Sequence, residues 1–192
     1  MLAPVRTIAP AEMPISLVEA KTHLRVDHSD DDTLIAGLIA SAVDHLDGWT
    51  GILGRALVTQ TWRQDFPQFC FRNLPLPLAP AVSVVGISYF DGENVQQTLA
   101  DTVYGLSSDA LGAFVALKPD QTWPKTYPRP DSVSVIYVAG ADVADVPAAL
   151  KVAILLLVGN WYENRSATST TAMMALPFAV NALVAPYRRV GV

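Results

Sequence analysis

The sequence predicts an α+β chain: a helical bundle that carries an inserted β domain and ends in a separate helical tail. Three observations lead there. Residues 29–51 place apolar residues at helical spacing, and a second, almost wholly apolar run recurs at 148–162, a hundred residues later. Between them the period changes to alternation, with β-branched and aromatic residues cut into short pieces by Gly and Pro. A polar Ser/Thr stretch, 166–171, then separates the last apolar segment from the rest.

The expected domains follow in order. Residues 1–13 hold Pro4 and Pro10 and no periodicity, and read as an extended arm. Residues 14–54 with 145–165 form the bundle, 55–144 the inserted small β-sandwich or barrel-like domain, and 166–192 a linker with a C-terminal docking helix. The first helix opens at Ser16 and Glu19, which have capping-box spacing, with Ile15 and Ala20 placed as a hydrophobic staple; it ends near Arg25. The organising helix spans 29–51, capped at Ser29 with Asp32 three residues on, and with acidic residues at the positive end of its dipole. Leu34, Leu38, Ala42, Leu46 and Leu53 form one apolar row, Ile35, Ile39 and Val43 a second; Ser41, Asp44 and Asp47 face water. Its partner is the helix at 148–162, with Asp145 as N-cap and Pro147 in the first turn. Being apolar on every side, that helix is expected to be buried on every side, partly by a neighbouring subunit. The bundle core is expected at Leu34, Leu38, Ile39, Leu46, Leu150, Ile154, Leu155 and Val158.

In the β region, strands are expected around 57–64, 82–90, 95–99, 104–106, 113–117 and 133–138, with a turn at Asp91-Gly92. The proline-spaced run 74–80 reads as an edge or a polyproline-like connector, since proline gives no donor to a central ladder.

Composition bounds the function. Hydrophobic residues make up 51% and charged ones only 16%, so some apolar surface is expected to meet another chain. A net charge of -5 argues against a protein that grips nucleic acid. Cys70 is the single cysteine, which excludes an internal disulfide and fits a reducing compartment. The N-terminus lacks an apolar signal core, and the run 148–158 is short of the ~20 residues of a membrane span, so a soluble chain is expected.

Candidate chemistry is sparse. His23, His28 and His45 match no zinc spacing and read as surface or helix-edge residues. Asp30, Asp31 and Asp32 lack the alternation, glycine and final glutamate of a calcium loop and read as helix capping. Cys70, between Phe69 and Phe71, reads as a buried or half-buried apolar residue. No nucleophile elbow, phosphate loop or dinucleotide fingerprint occurs, and neither a catalytic residue, a metal site nor a cofactor is expected. The C-terminal segment is more informative. Met173, Met174, Leu176, Phe178, Val180, Leu183, Val184 and Tyr187 supply an apolar helix, followed by Arg188 and Arg189. It either folds back on its own core or docks on a partner as a helix in a groove; the polar linker before it favours docking.

Three stretches carry a resemblance. Pro14-Ile15-Ser16-Leu17-Val18-Glu19-Ala20-Lys21-Thr22-His23-Leu24-Arg25-Val26 leads to Asp30-Asp31-Asp32-Thr33-Leu34-Ile35. Val133-Ser134-Val135-Ile136-Tyr137-Val138-Ala139-Gly140 leads to Val146-Pro147-Ala148-Ala149-Leu150 and Trp161-Tyr162-Glu163-Asn164-Arg165. The third runs from Leu176-Pro177 to Leu183 and Pro186-Tyr187-Arg188. In this order they resemble the head–tail connector (adaptor) proteins of long-tailed bacteriophages, prophages and gene transfer agents. The resemblance implies a non-enzymatic virion protein, assembled in the bacterial cytoplasm, that forms a twelvefold ring of its own copies at the neck. The C-terminal tail would contact the portal protein and a stopper or tail protein would lie below. DNA would pass without specific binding, and no membrane would be involved. The β region is longer than in the shortest members of that family, which are almost wholly helical. The rival readings are another neck ring, stopper or tail terminator, and a ligand-binding or enzymatic β domain on a helical base.

Overall fold

The computed structural model describes residues 1–69, 73–164 and 175–189, with the side chains of 175–177 left out. The chain is of mixed α+β type and divides into two compact units, Met1–Ala11 with Thr59–Gly140 and Glu12–Val58 with Ala141–Val192.

The second unit holds the helices α1 (Leu17–Leu24), α2 (Asp32–Leu46), α3 (Ala148–Glu163) and α4 (Ala175–Val184). In α1 the capping box forms: the Ser16 hydroxyl accepts the Glu19 N–H at 3.2 Å, and Glu19 Oε2 accepts the Ser16 N–H at 2.8 Å. Ile15 and Ala20 are both buried in the same core, and Arg25 ends the helix in the left-handed region at φ 58°. The bonds from Ser16 hold the Glu19 carboxyl below its ordinary pKa. A depressed folded pKa gives stability that is present above the unfolded value and lost as pH falls through the folded one. Acidification from the ordinary glutamate range down through the lowered folded pKa is therefore expected to loosen this cap; because Glu19 is exposed, the effect should be only a few tenths of a kcal/mol. An NMR titration of the Glu19 side chain with a midpoint at or above the ordinary glutamate value would contradict it.

The helix α2 is shorter at both ends than the sequence pattern predicts. It begins at Asp32, and Asp31 rather than Ser29 is its N-cap, with no side-chain cap bond. The aspartates are held by tertiary partners instead. The Asp32 N–H bonds back to Ser29 O at 3.2 Å in a turn, Lys21 Nζ lies 2.6 Å from Asp32 Oδ1, and the Tyr162 hydroxyl donates to Asp31. At the far end Gly48 turns the chain at φ 79°. Asp47, expected in water, is only 5% exposed: its Oδ1 accepts the Leu57 N–H at 2.7 Å and ties the end of α2 to the chain beyond the turn.

The buried stripe of α2 is Ile35, Ile39, Ala42, Val43 and Leu46. Of the expected bundle core, Ile39, Leu46, Leu150, Ile154 and Val158 are buried together. Leu38 and Leu155 lie half-buried at its margin, and Leu34 is 38% exposed and outside it. The stripe is thus rotated toward the second row, because α2 packs on both α1 and α3. Within a single chain α3 keeps an exposed side: Leu150, Ala153, Ile154, Leu157 and Val158 face the core, while Val152 is 45% exposed. Its N-cap is Pro147, not Asp145, which closes a short turn before it. Ile154→Ala should cost about 2–5 kcal/mol as a full core truncation, and the half-buried Leu38→Ala about 1–2 kcal/mol. Equal losses by chemical denaturation would refute this ranking.

The other unit is antiparallel β structure: β1 (Val5–Ile8), β2 (Gln60–Phe66), β3 (Asn73–Pro75), β4 (Ala81–Phe90), β5 (Gln96–Leu99), β6 (Tyr104–Asp109), β7 (Gly112–Leu117) and β8 (Val133–Ala139). Five strands form one sheet in the order β1-β2-β8-β4-β5, and three form a second in the order β3-β7-β6. Neither sheet closes on itself, so the barrel-like alternative is corrected to two open sheets. On β8 the alternation is clean, with Val133, Val135, Tyr137 and Ala139 buried. The expected extended arm contains β1, which pairs with β2; Gln64 Nε2 also donates to Leu2 O at 2.7 Å.

Candidate functional site

Among the described residues no group of three or more His, Cys, Asp or Glu side chains is placed to hold a metal ion. His28 and Asp30 are both well exposed, 3.8 Å apart, and His23 lies under Gly159 of α3. Cys70 falls outside the described residues. What remains as a candidate site is the C-terminal helix and the surfaces that stay apolar.

Met173 and Met174 also lie outside the described residues, and Leu176 contributes only backbone to α4. The rest of the expected docking tail splits between two environments. Val180 is 4% and Val184 0% exposed, both inside the bundle core, with Leu183 and Tyr187 packed against it. The Arg55 guanidinium stands 5.9 Å from the centre of the Tyr187 ring, and burial lowers its pKa, an effect Tyr187 opposes. The Arg189 N–H bonds to Leu53 O at 2.9 Å. On the outer side Phe178 is 78% exposed, and Arg188 donates to Asn181 Oδ1 at 2.6 Å. The expectation that this segment stands apart from the core is therefore corrected. Its apolar positions at 180 and 184 repeat one helical turn apart, and they meet α3 rather than water.

Sequence reasoning missed several aromatic contacts in the β unit. Phe69 and Trp123 stack at 4.6 Å, and Arg129 lies 3.8 Å over the Phe90 ring while paired to Asp131 at 2.7 Å. That pairing draws the Asp131 carboxyl below the usual range. Phe69 and Trp123, like Phe90 and Arg129, are far apart in sequence, and no local pattern announces such contacts.

In sequence, residues 14–103 match the model for the phage gp6-like head-tail connector proteins. The match is a likeness to that family over part of the chain. It covers α1, α2 and the strands β2 to β5, just under half of the chain. No curated protein matches the sequence. Three solved structures share the fold of this chain. A chain of the virion of a native gene transfer agent particle superposes with a TM-score of 0.78 at 22% identity, covering 100% of this chain and 97% of that one. A chain from the neck of an empty particle of that kind, computed with C6 symmetry, gives 0.77 at 23% identity with the same coverage. One from the neck of the native particle, computed with C12 symmetry, gives 0.71 at 22%.

Proposed function

We propose that this chain is a structural virion protein, a head–tail connector whose copies close into a ring at the neck between the portal and the tail of a long-tailed phage or gene transfer particle. The observation that carries the reading is the connector match over residues 14–103. The shared fold with neck chains of gene transfer particles supports it, and the C12 symmetry of one of those necks is what a twelvefold ring would have. A net charge of -5 suits a passage that lets DNA through without holding it. In this reading 14–54 and 145–165 with α4 packed against them are the bundle, 55–144 is a sandwich-like insertion, and the outer face of α4, where Phe178 is exposed, is the surface offered to the portal. A stopper or tail protein sits on the opposite side of the ring.

Electron microscopy of particles assembled without this chain tests the proposal. The expected result is DNA-filled heads and free tails that do not join. Intact particles in normal yield would overturn it.

A further inference from the structure

Among the described residues the five-stranded sheet ends in two strands that have a strand partner on one side only, β1 and β5. Each is four residues long. All four residues of β1 are exposed, including Val5 at 45% and Ile8 at 62%. Gln96, Gln97 and Thr98 of β5 are exposed as well. A free edge is a template for another strand, and folded proteins usually blunt it with lysine, proline or an inward charge. None of these occurs in β5, and β1 carries a single charge, Arg6.

The ladder shows which backbone groups are on offer. The Asp91 N–H bonds to Val95 O at 2.9 Å, and the register then pairs Tyr89 with Gln97 and Ile87 with Leu99. In an antiparallel ladder hydrogen-bonded pairs alternate, so Gln97 and Leu99 bond to β4 while Gln96 and Thr98 turn their N–H and C=O outward. Every neighbour pair from β1 through β2, β8 and β4 to β5 is antiparallel, so β1 and β5 run in the same direction. The register shift after Arg6 makes β1 the less regular edge and β5 the cleaner one.

From these features we propose that β5 of one copy pairs in parallel with β1 of the next, so that the sheets of neighbouring copies join edge to edge. The occupant of each edge is a second copy of this chain, because the two edges match in length and direction and carry no like charges. Such a contact is heterologous: it uses two different surfaces and propagates head to tail, which closes a ring when the rotation allows. The small rotation between ring neighbours preserves strand direction, as parallel pairing needs. The inference rests on the ring reading above and names the surface that would build it.

Thr98→Pro removes an outward N–H without breaking a bond to β4, a position where an edge strand tolerates proline. In sedimentation, the wild-type chain is expected as a multimer and the variant at the mass of one chain, with unchanged circular dichroism. A second measurement does not depend on that variant folding. In a Cys70→Ser background, cysteines at Val5 or Arg6 are combined with cysteines at Gln96 or Gln97. The two edges of one sheet lie four strand spacings apart, about 19 Å at about 4.8 Å each, beyond disulfide reach. Any bond formed on oxidation therefore joins two chains, and a ladder of covalent multimers is expected from at least one pair. A multimeric wild type that yields no ladder from any pair overturns the edge pairing and leaves the ring intact. A wild type that stays monomeric and yields no ladder overturns both, and leaves the edges to a strand from another protein.

Discussion

Gly51→Ala is expected to destabilise the helical unit by about 2–4 kcal/mol, a large effect for one methyl group on a surface turn. After α2 the chain doubles over the end of the helix: the Ile52 N–H bonds to His45 O at 3.0 Å and the Leu53 N–H to Leu46 O at 3.3 Å. A Cβ at Gly51 would fall well inside contact distance of Asp47 O and 2.5 Å from the carbonyl carbon and oxygen of Leu46. These are backbone atoms, so no side-chain rotation relieves the overlap. The turn must open, and opening it pulls on the Asp47–Leu57 tie and on the buried Leu53. Gly37→Ala is the control. A Cβ there meets nothing within 4 Å, and Gly37 lies inside α2, so that change should stabilise by about 0.5–1 kcal/mol. Urea unfolding of both variants checks the pair. A Gly51→Ala protein within about 0.5 kcal/mol of the wild type, the ordinary range of a neutral surface change, would show that the turn is not this tight.

That turn shows where the sequence was legible and where it was not. Helical period marked the existence of α2 and α3, and the capping box at Ser16 and Glu19 formed as its spacing predicts, because both are signals within a few residues. The β alternation was readable for the same reason along β8. What failed depended on distant partners. Ser29 lost the N-cap because Lys21 and Tyr162 hold the neighbouring aspartates. Asp47 looked like a solvent-facing charge, and its role as acceptor for Leu57 appears only once the chain folds back over the helix end. Leu34 fitted the apolar row but lies outside the core, since the placement of α1 and α3 decides which of two adjacent rows faces inward. For the candidate site, the helical spacing of Val180 and Val184 was readable along the chain. The division between buried Val180 and Val184 and exposed Phe178 needed the coordinates.

Ending the chain at Asn164 is expected to lower stability by about 3–6 kcal/mol, from the lost burial of Val180 and Val184 at about 1.5–3 kcal/mol each. That sum is an upper estimate, because an unfolded chain already hides part of its apolar surface. Against a total stability of about 5–15 kcal/mol it is still a large share, and at about 2–4 °C per kcal/mol the melting temperature should fall by about 6 °C or more. Two partly buried side chains, Leu183 and Tyr187, and the bond from Arg189 to Leu53 are removed by the same truncation. Phe178→Asp separates the two faces of the helix: it touches only the exposed side, so stability should stay within about 0.5 kcal/mol of the wild type. If Phe178 lies in the surface offered to a portal, that variant should still lose head–tail joining. The two variants together decide how the tail works. A truncated chain that melts like the full one would mean α4 leaves the core in solution and is free to bind elsewhere as a tether. A destabilised truncation means that any partner taking the inner face of α4 must supply at least the lost burial energy as differential affinity. Docking through Phe178, with the inner face left in place, needs no such compensation and is the arrangement expected.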